Sequence, residues 1–188
     1  KDPFLGSASI SSEVESQSTI NWPSAVSSDS STGTVDFVTS HPTTFVKAGS
    51  SSYWDWHYSS RDNTLWQSEK TIYDPCPVGW RVPDGGNNGV WATAKGSYSS
   101  YNRSYDSTNK GMNFSGDFGS ASTIWYPASG YRNYIDGGLN YVCSSGYYWS
   151  ASPNSSSACN LRFTNLGYVY PSNGNSRAFG QPVRCLQE

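Results

Sequence analysis

Four cysteines, two histidines and a scatter of carboxylates are the residues of this 188-residue chain most able to do chemistry. Cys76 sits between two prolines in YDPCPVGWRVPDGG, Cys143 and Cys159 flank the segment YYWSASP, and Cys185 lies near the end of the sequence. The sequence has no Cys-x-x-Cys pattern, and His41 and His57 are remote from every cysteine, so no metal site is expected. An even cysteine count in a near-neutral chain rich in Ser, Thr and Tyr points instead to an exported protein with disulfides. Four cysteines allow three connectivities. The economical one is nested, Cys76 with Cys185 and Cys143 with Cys159.

His57, in WDWHYSSRD, could act as a base beside Asp55 or Asp62, but a single histidine among aromatic residues reads as packing. The carboxylates Asp55, Asp62, Asp106, Asp117 and Asp136 are dispersed, and no pair is placed by sequence for acid and base work. DGGNNG, at 84–89, half-matches a calcium loop; it lacks the third-position ligand and the terminal Glu, and reads as a helix start capped by Asp84 or Asn88. No catalytic residue and no cofactor is assigned, and the chain is expected not to be an enzyme. Recognition chemistry is better represented. Tyr98, Tyr101, Asn102, Arg103, Tyr105 and Asp106, with Phe114 and Phe118 beyond them, interleave rings with amides and charges, as do Trp54 and Trp56 further upstream. Rings stack on the apolar faces of sugars while amides and carboxylates take hydroxyls. The same stretch could equally fold over its own tyrosines.

The elements that must hold these residues follow from composition. Charged residues make up 14% and aromatics 15%, with eight Trp and fourteen Tyr, so long amphipathic helices are excluded and short strands between polar loops are expected. A net charge of −2 creates no field to attract a polyanion, so nucleic acid is not an expected partner. No apolar run is long enough to span a bilayer as a helix. The chain opens at Lys1 without signal-peptide features, so a leader has been removed or the chain is a fragment.

Residues 1–33 read as a linker or peripheral arm and 34–188 as the domain. TVDFVTS and TTFVKA read as strands around His41-Pro42, Thr71-Ile72-Tyr73 as strand-like, and GWRVP as a strand ending at Pro83. A short helix then carries Val90, Trp91 and Ala94, stopped by Gly96. Segment 97–123 is long and irregular, and strands over TIWYPASGYR, YYWSASP, ACNLRFT, GYVYPS and GQPVRCLQ follow. Trp80, Val82, Trp91, Trp149 and Phe163 are expected in the core, and Arg132 and Arg184 as braces for neighbouring loops. Gln181-Pro182 reads as structural.

CPVGWRVP with Trp91 after it, then GYR, GYYWSAS, ACNLRF and RAFGQPVRCL, resembles the Fibrobacter succinogenes major paralogous domain over about residues 41–188. HPTTFV, Leu65-Trp66 and KTIYDPCPVGWRVP resemble the version found in fimbrillin-type surface adhesins of Bacteroidetes. The resemblance implies an α+β, C-type lectin-like fold: β-rich, disulfide-bonded, with one or two short helices and long loops. It implies a cell-adhesion module of a fimbrium or cell surface, extracellular, binding glycan or host protein non-covalently. The alternative is a structural pilus or stalk subunit that contacts only other pilus proteins. A more distant likeness, of RVPDGGNNGVW to sulfatase-modifying enzymes, implies a third, enzymatic reading. The calcium-binding Glu-Pro-Asn, Gln-Pro-Asp and Trp-Asn-Asp motifs of C-type lectins are absent.

Overall fold

A computed structural model describes residues 25–49, 54–59, 61–93, 103–115 and 123–188. In chain order the elements are β1 (Ala25–Ser27), α1 (Val35–Ser40), β2 (Phe45–Lys47), β3 (Trp80–Arg81), α2 (Val90–Thr93), β4 (Arg103–Asp106), β5 (Gly111–Ser115) and β6 (Thr123–Pro127). They continue as β7 (Tyr131–Arg132), β8 (Leu139–Asn140), β9 (Ser145–Asn154), β10 (Ser157–Thr164), β11 (Val169–Asn175) and β12 (Leu186–Gln187). The chain is therefore β-rich with short helices, as composition requires.

Two antiparallel three-stranded sheets, β4-β5-β6 and β9-β10-β11, form the body. Between them lies a core of Trp91, Met112, Phe114, Tyr126, Tyr148, Leu161, Phe163 and Val169. Its rings meet edge to face, Phe114 against Tyr126 at 5.4 Å and Tyr126 against Tyr148 at 5.0 Å, a geometry that adds to area burial. Phe163 lies across its register partner Gly146, where a Cβ would come within 2.1 Å of the ring, so only glycine fits. Buried polar tips find partners: Tyr148 Oη donates to Pro127 O at 2.7 Å and Trp91 Nε1 to Tyr126 Oη at 3.2 Å.

The last strand returns to the first part of the domain. β12 pairs antiparallel with β3, and Cys76 is bonded to Cys185 with Cα atoms 5.7 Å apart. Val82, Cys76 and Ala151 form a second small core beneath this tie. Arg132 Nη1 donates to Gly137 O at 2.8 Å and braces the β7–β8 loop as expected, whereas Arg184 Nη1 donates to Trp125 O within strand β6 rather than to a loop.

Several expectations are corrected. Cys143 and Cys159 remain thiols rather than a cystine. The β9–β10 hairpin carries Cys159 back only to the level between Trp149 and Pro153, whereas Cys143 precedes Ser145 at the other end of β9. At about 3.3 Å per residue the two are separated by far more than the ~7 Å that a disulfide spans.

TVDFVTS is not a strand. Thr34 caps α1 by accepting from Phe37 N, Asp36 lies in the first turn, and the His41 ring stacks on Phe37 at 4.2 Å to close it. Thr71–Tyr73 is a turn, not a strand. Trp80 is 40% exposed rather than core. Asp84 gives its carboxylate to Arg81 at 2.9 Å, and its carbonyl, not its side chain, receives Val90 N–H. Inside the segment expected to be irregular, β4 and β5 pair as a hairpin. Ala25–Ser27, within the expected arm, pair in parallel with β2, and Ala94 and Gly96 lie outside the described residues.

Candidate functional site

A cavity of about 480 Å³ opens where α1, the 54–66 loop, the turn at 71–75 and the β9–β10 hairpin converge. Each wall has a local cause. Val35 and Val38, three apart on α1, share the face that lines the cavity. Asp62 Oδ1 accepts from Thr64 N at 2.7 Å and Thr64 Oγ1 at 2.6 Å, which sets the turn before Leu65 and Trp66. Trp66 Nε1 donates to Tyr73 O at 2.9 Å, locking the indole against the next turn. Trp149, Ser150, Ala151 and Ala158 come from the hairpin.

Arg177 ties the site together. Its Nη2 donates to Asn63 Oδ1 at 2.6 Å and its Nε to Ser157 O at 3.3 Å, so one guanidinium joins the loop to β10. Asp74, in the cavity wall, is nearly sealed and accepts from Val82 N at 2.8 Å, Cys76 N at 2.8 Å and Lys70 Nζ at 3.1 Å. Burial alone would raise its carboxyl, but these donors and the Lys70 charge outweigh it and hold the group below its ordinary value.

Asp55 is different. It is 2% exposed; Oδ1 accepts from His57 N at 3.1 Å, while Oδ2 is buried with no hydrogen-bond partner among the described residues. Burial pushes this carboxyl above its ordinary value, against the pull of the His57 backbone N–H and the Arg177 charge. The cavity thus has aromatic and aliphatic walls, polar groups that mostly satisfy one another, and one desolvated acid at its edge. It can receive an apolar or ring-shaped group. Among the described residues no cluster of three potential metal ligands exists.

The residues expected from sequence divide between places. Trp56 lines the cavity, its ring edge-on to His57 at 5.4 Å. Trp54 does not; it packs against Tyr134 at 6.0 Å, and its carbonyl accepts from Ala178 N. Tyr98, Tyr101, Asn102 and Phe118 lie outside the described residues. Arg103, Tyr105 and Asp106 are engaged with the fold. Arg103 Nε donates to Gly167 O at 2.5 Å, Tyr105 Oη donates to Cys143 O, and Phe114 is fully buried. Asp106 accepts from Thr108 N at 2.8 Å and Asn109 N at 3.0 Å, closing the β4–β5 turn.

Trp66, Tyr73, Trp149 and Arg177 escaped sequence reasoning because they come from four separated segments. Only the Asp two residues before Cys76 carried a local signal, that of a side chain bonding nearby backbone N–H groups. Compared with known proteins, the chain matches no family model, no curated protein and no solved structure.

Proposed function

We propose that this domain is the recognition module of an extracellular surface protein, an adhesin of fimbrial type, which binds glycan or host protein non-covalently. The observation that carries the reading is the cavity walled by Trp56, Trp66, Tyr73 and Trp149. Concave, ring-lined sites with few polar groups are the usual form of small-ligand and glycan sites. The Cys76–Cys185 bond supports an oxidising compartment, and among the described residues no helix is long and apolar enough to cross a membrane.

A second reading, a pilus or stalk subunit, has its own support. Ile72 is 90% and Val78 95% exposed, both in the segment that leads into the short strand β3, which pairs with β12 alone. Apolar side chains beside a strand edge suit assembly with another chain.

The test is a glycan and host-protein binding screen, with and without calcium, on wild type and Val38→Glu. A charge on the α1 wall should abolish binding of the ligand found while leaving the melting temperature within a few degrees. Retained binding would move the site away from the cavity. Binding only to copies of itself or to other pilus proteins would favour the assembly reading.

A further inference from the structure

On the face of the β9–β10–β11 sheet turned away from the main core, Arg162 stands in register between Tyr147 on β9 and Tyr170 on β11. Its guanidinium carbon lies 5.7 Å from the Tyr147 ring centre and 5.2 Å from that of Tyr170, so two rings grip the planar fork. Tyr131 continues the wall, edge-on to Tyr147 at 5.0 Å and tilted against Tyr141 at 5.7 Å. Tyr141, Tyr168 and Tyr170 are exposed.

The donors of Arg162 serve the tyrosine row, its side chain bonding that of Tyr147, rather than a carbonyl or a carboxylate. Arg103, Arg132 and Arg184 donate to carbonyls, Arg177 to an amide oxygen and carbonyls, and Arg81 pairs with Asp84. Arg162 Nε is buried with no partner among the described residues, and the ion pairs formed there involve other cations. Burial pushes the phenols of Tyr131 and Tyr147 up, so both are neutral at neutral pH and leave the guanidinium charge uncompensated. Arg162 is half-buried, with its Nε sealed from solvent.

We propose that Arg162 is an anion-receiving site that takes the carboxylate of an acidic sugar, with the sugar ring lying against the exposed tyrosines beside it. A guanidinium fork matches a carboxylate through two parallel N–H···O bonds, and here cross-strand stacking has already fixed its orientation. Rigid tyrosines offer flat area at low entropic cost, and their hydroxyls can exchange hydrogen bonds with the sugar hydroxyls next to the carboxylate. A bare acidic side chain would make no use of the rings. This inference rests on reading the domain as a glycan-binding module, but not on the cavity.

The experiment titrates the wild-type protein with sodium glucuronate, glucose and acetate at constant ionic strength, following backbone and arginine Nε–H signals by NMR. Glucuronate should move the Arg162 Nε–H signal and the Tyr170 amide, binding about tenfold more tightly than glucose or acetate. Arg162→Gln should remove the effect, Arg162→Lys should weaken it severalfold, and Val38→Glu should leave it intact. An unmoved Arg162 signal in the wild type overturns the anion site. Acetate binding as well as glucuronate overturns the sugar assignment in favour of an acidic protein partner. Loss of glucuronate binding in Val38→Glu places the sugar in the cavity and overturns this site.

Discussion

Replacing Asp74 by Ala should be among the most damaging single changes in this domain. Its side chain is 1% exposed and holds the backbone N–H groups of Val82 and Cys76 together with the Lys70 ammonium. Val82 and Cys76 are themselves buried, so without the carboxylate two N–H donors lose their acceptors in a place water does not reach. Such orphans cost about 1–3 kcal/mol each, and Lys70, partly exposed, adds little because solvent screens it. The total is about 2–6 kcal/mol. For a chain of this size, at about 2–4 °C per kcal/mol, the melting temperature falls by about 4–24 °C. Asp74→Asn keeps one carbonyl oxygen and should lose roughly half as much.

Thermal unfolding followed by circular dichroism, on oxidised protein at neutral pH, measures both variants. Because the native carboxyl titrates below its ordinary value, its contribution is full above the unfolded value and is lost as pH falls through the native one. The gap between wild type and Asp74→Asn should therefore narrow in acid. A Tm for Asp74→Ala within about 3 °C of wild type, or a gap that widens in acid, would refute the argument.

Asp55 should behave in the opposite sense. Its native carboxyl titrates above the ordinary value, so its stabilisation is present in acid and lost as pH rises, and Asp55→Asn should melt higher than wild type at neutral pH but not in acid; equal melting at every pH would refute this. The double change Cys76→Ser, Cys185→Ser opens a loop of sequence separation 109 and should cost about 4–5 kcal/mol by denaturant unfolding. A thiol reagent should find both Cys143 and Cys159 in denaturant, whereas in the native protein buried Cys159, its thiol pushed up by burial, should react slowly; no thiol in denaturant would mean that the two are joined. Tyr105→Phe loses the bond to Cys143 O and should cost about 1 kcal/mol; a larger change in ligand binding than in stability would return the 97–106 segment to the recognition surface.

The long strands were legible because their signals are local. YYWSASP and ACNLRF carry rings and branched residues bounded by turn formers, and they appear as β9 and β10. The outer cystine was legible from order along the chain. The inner pairing failed because spacing along the chain does not say where a hairpin turns, and the turn between Asn154 and Ser157 carries Cys159 away from Cys143. TVDFVTS was misread because Val35 and Phe37 alternate, whereas the deciding residue was Thr34, whose hydroxyl commits the next turn to a helix. The cavity was almost invisible: of the aromatic residues singled out for binding, Trp56 lines it, while its other walls come from segments that meet only through tertiary packing.

The bond between Cys76 and Cys185 also decides how the domain carries mechanical load. Tension applied between the chain before Cys76 and the chain after Cys185 runs through the sulfurs and bypasses the enclosed strands β3–β11. With a sequence separation of 109, that loop withholds on the order of 350 Å of extensible contour. Under pulling, the oxidised domain can yield only outside the loop, in the segment that carries β1, α1 and β2 and in the terminal strand β12, while the aromatic core and the Tyr147-Arg162-Tyr170 row stay folded. Reduction would convert the same chain from a short, stiff link into a long, compliant one.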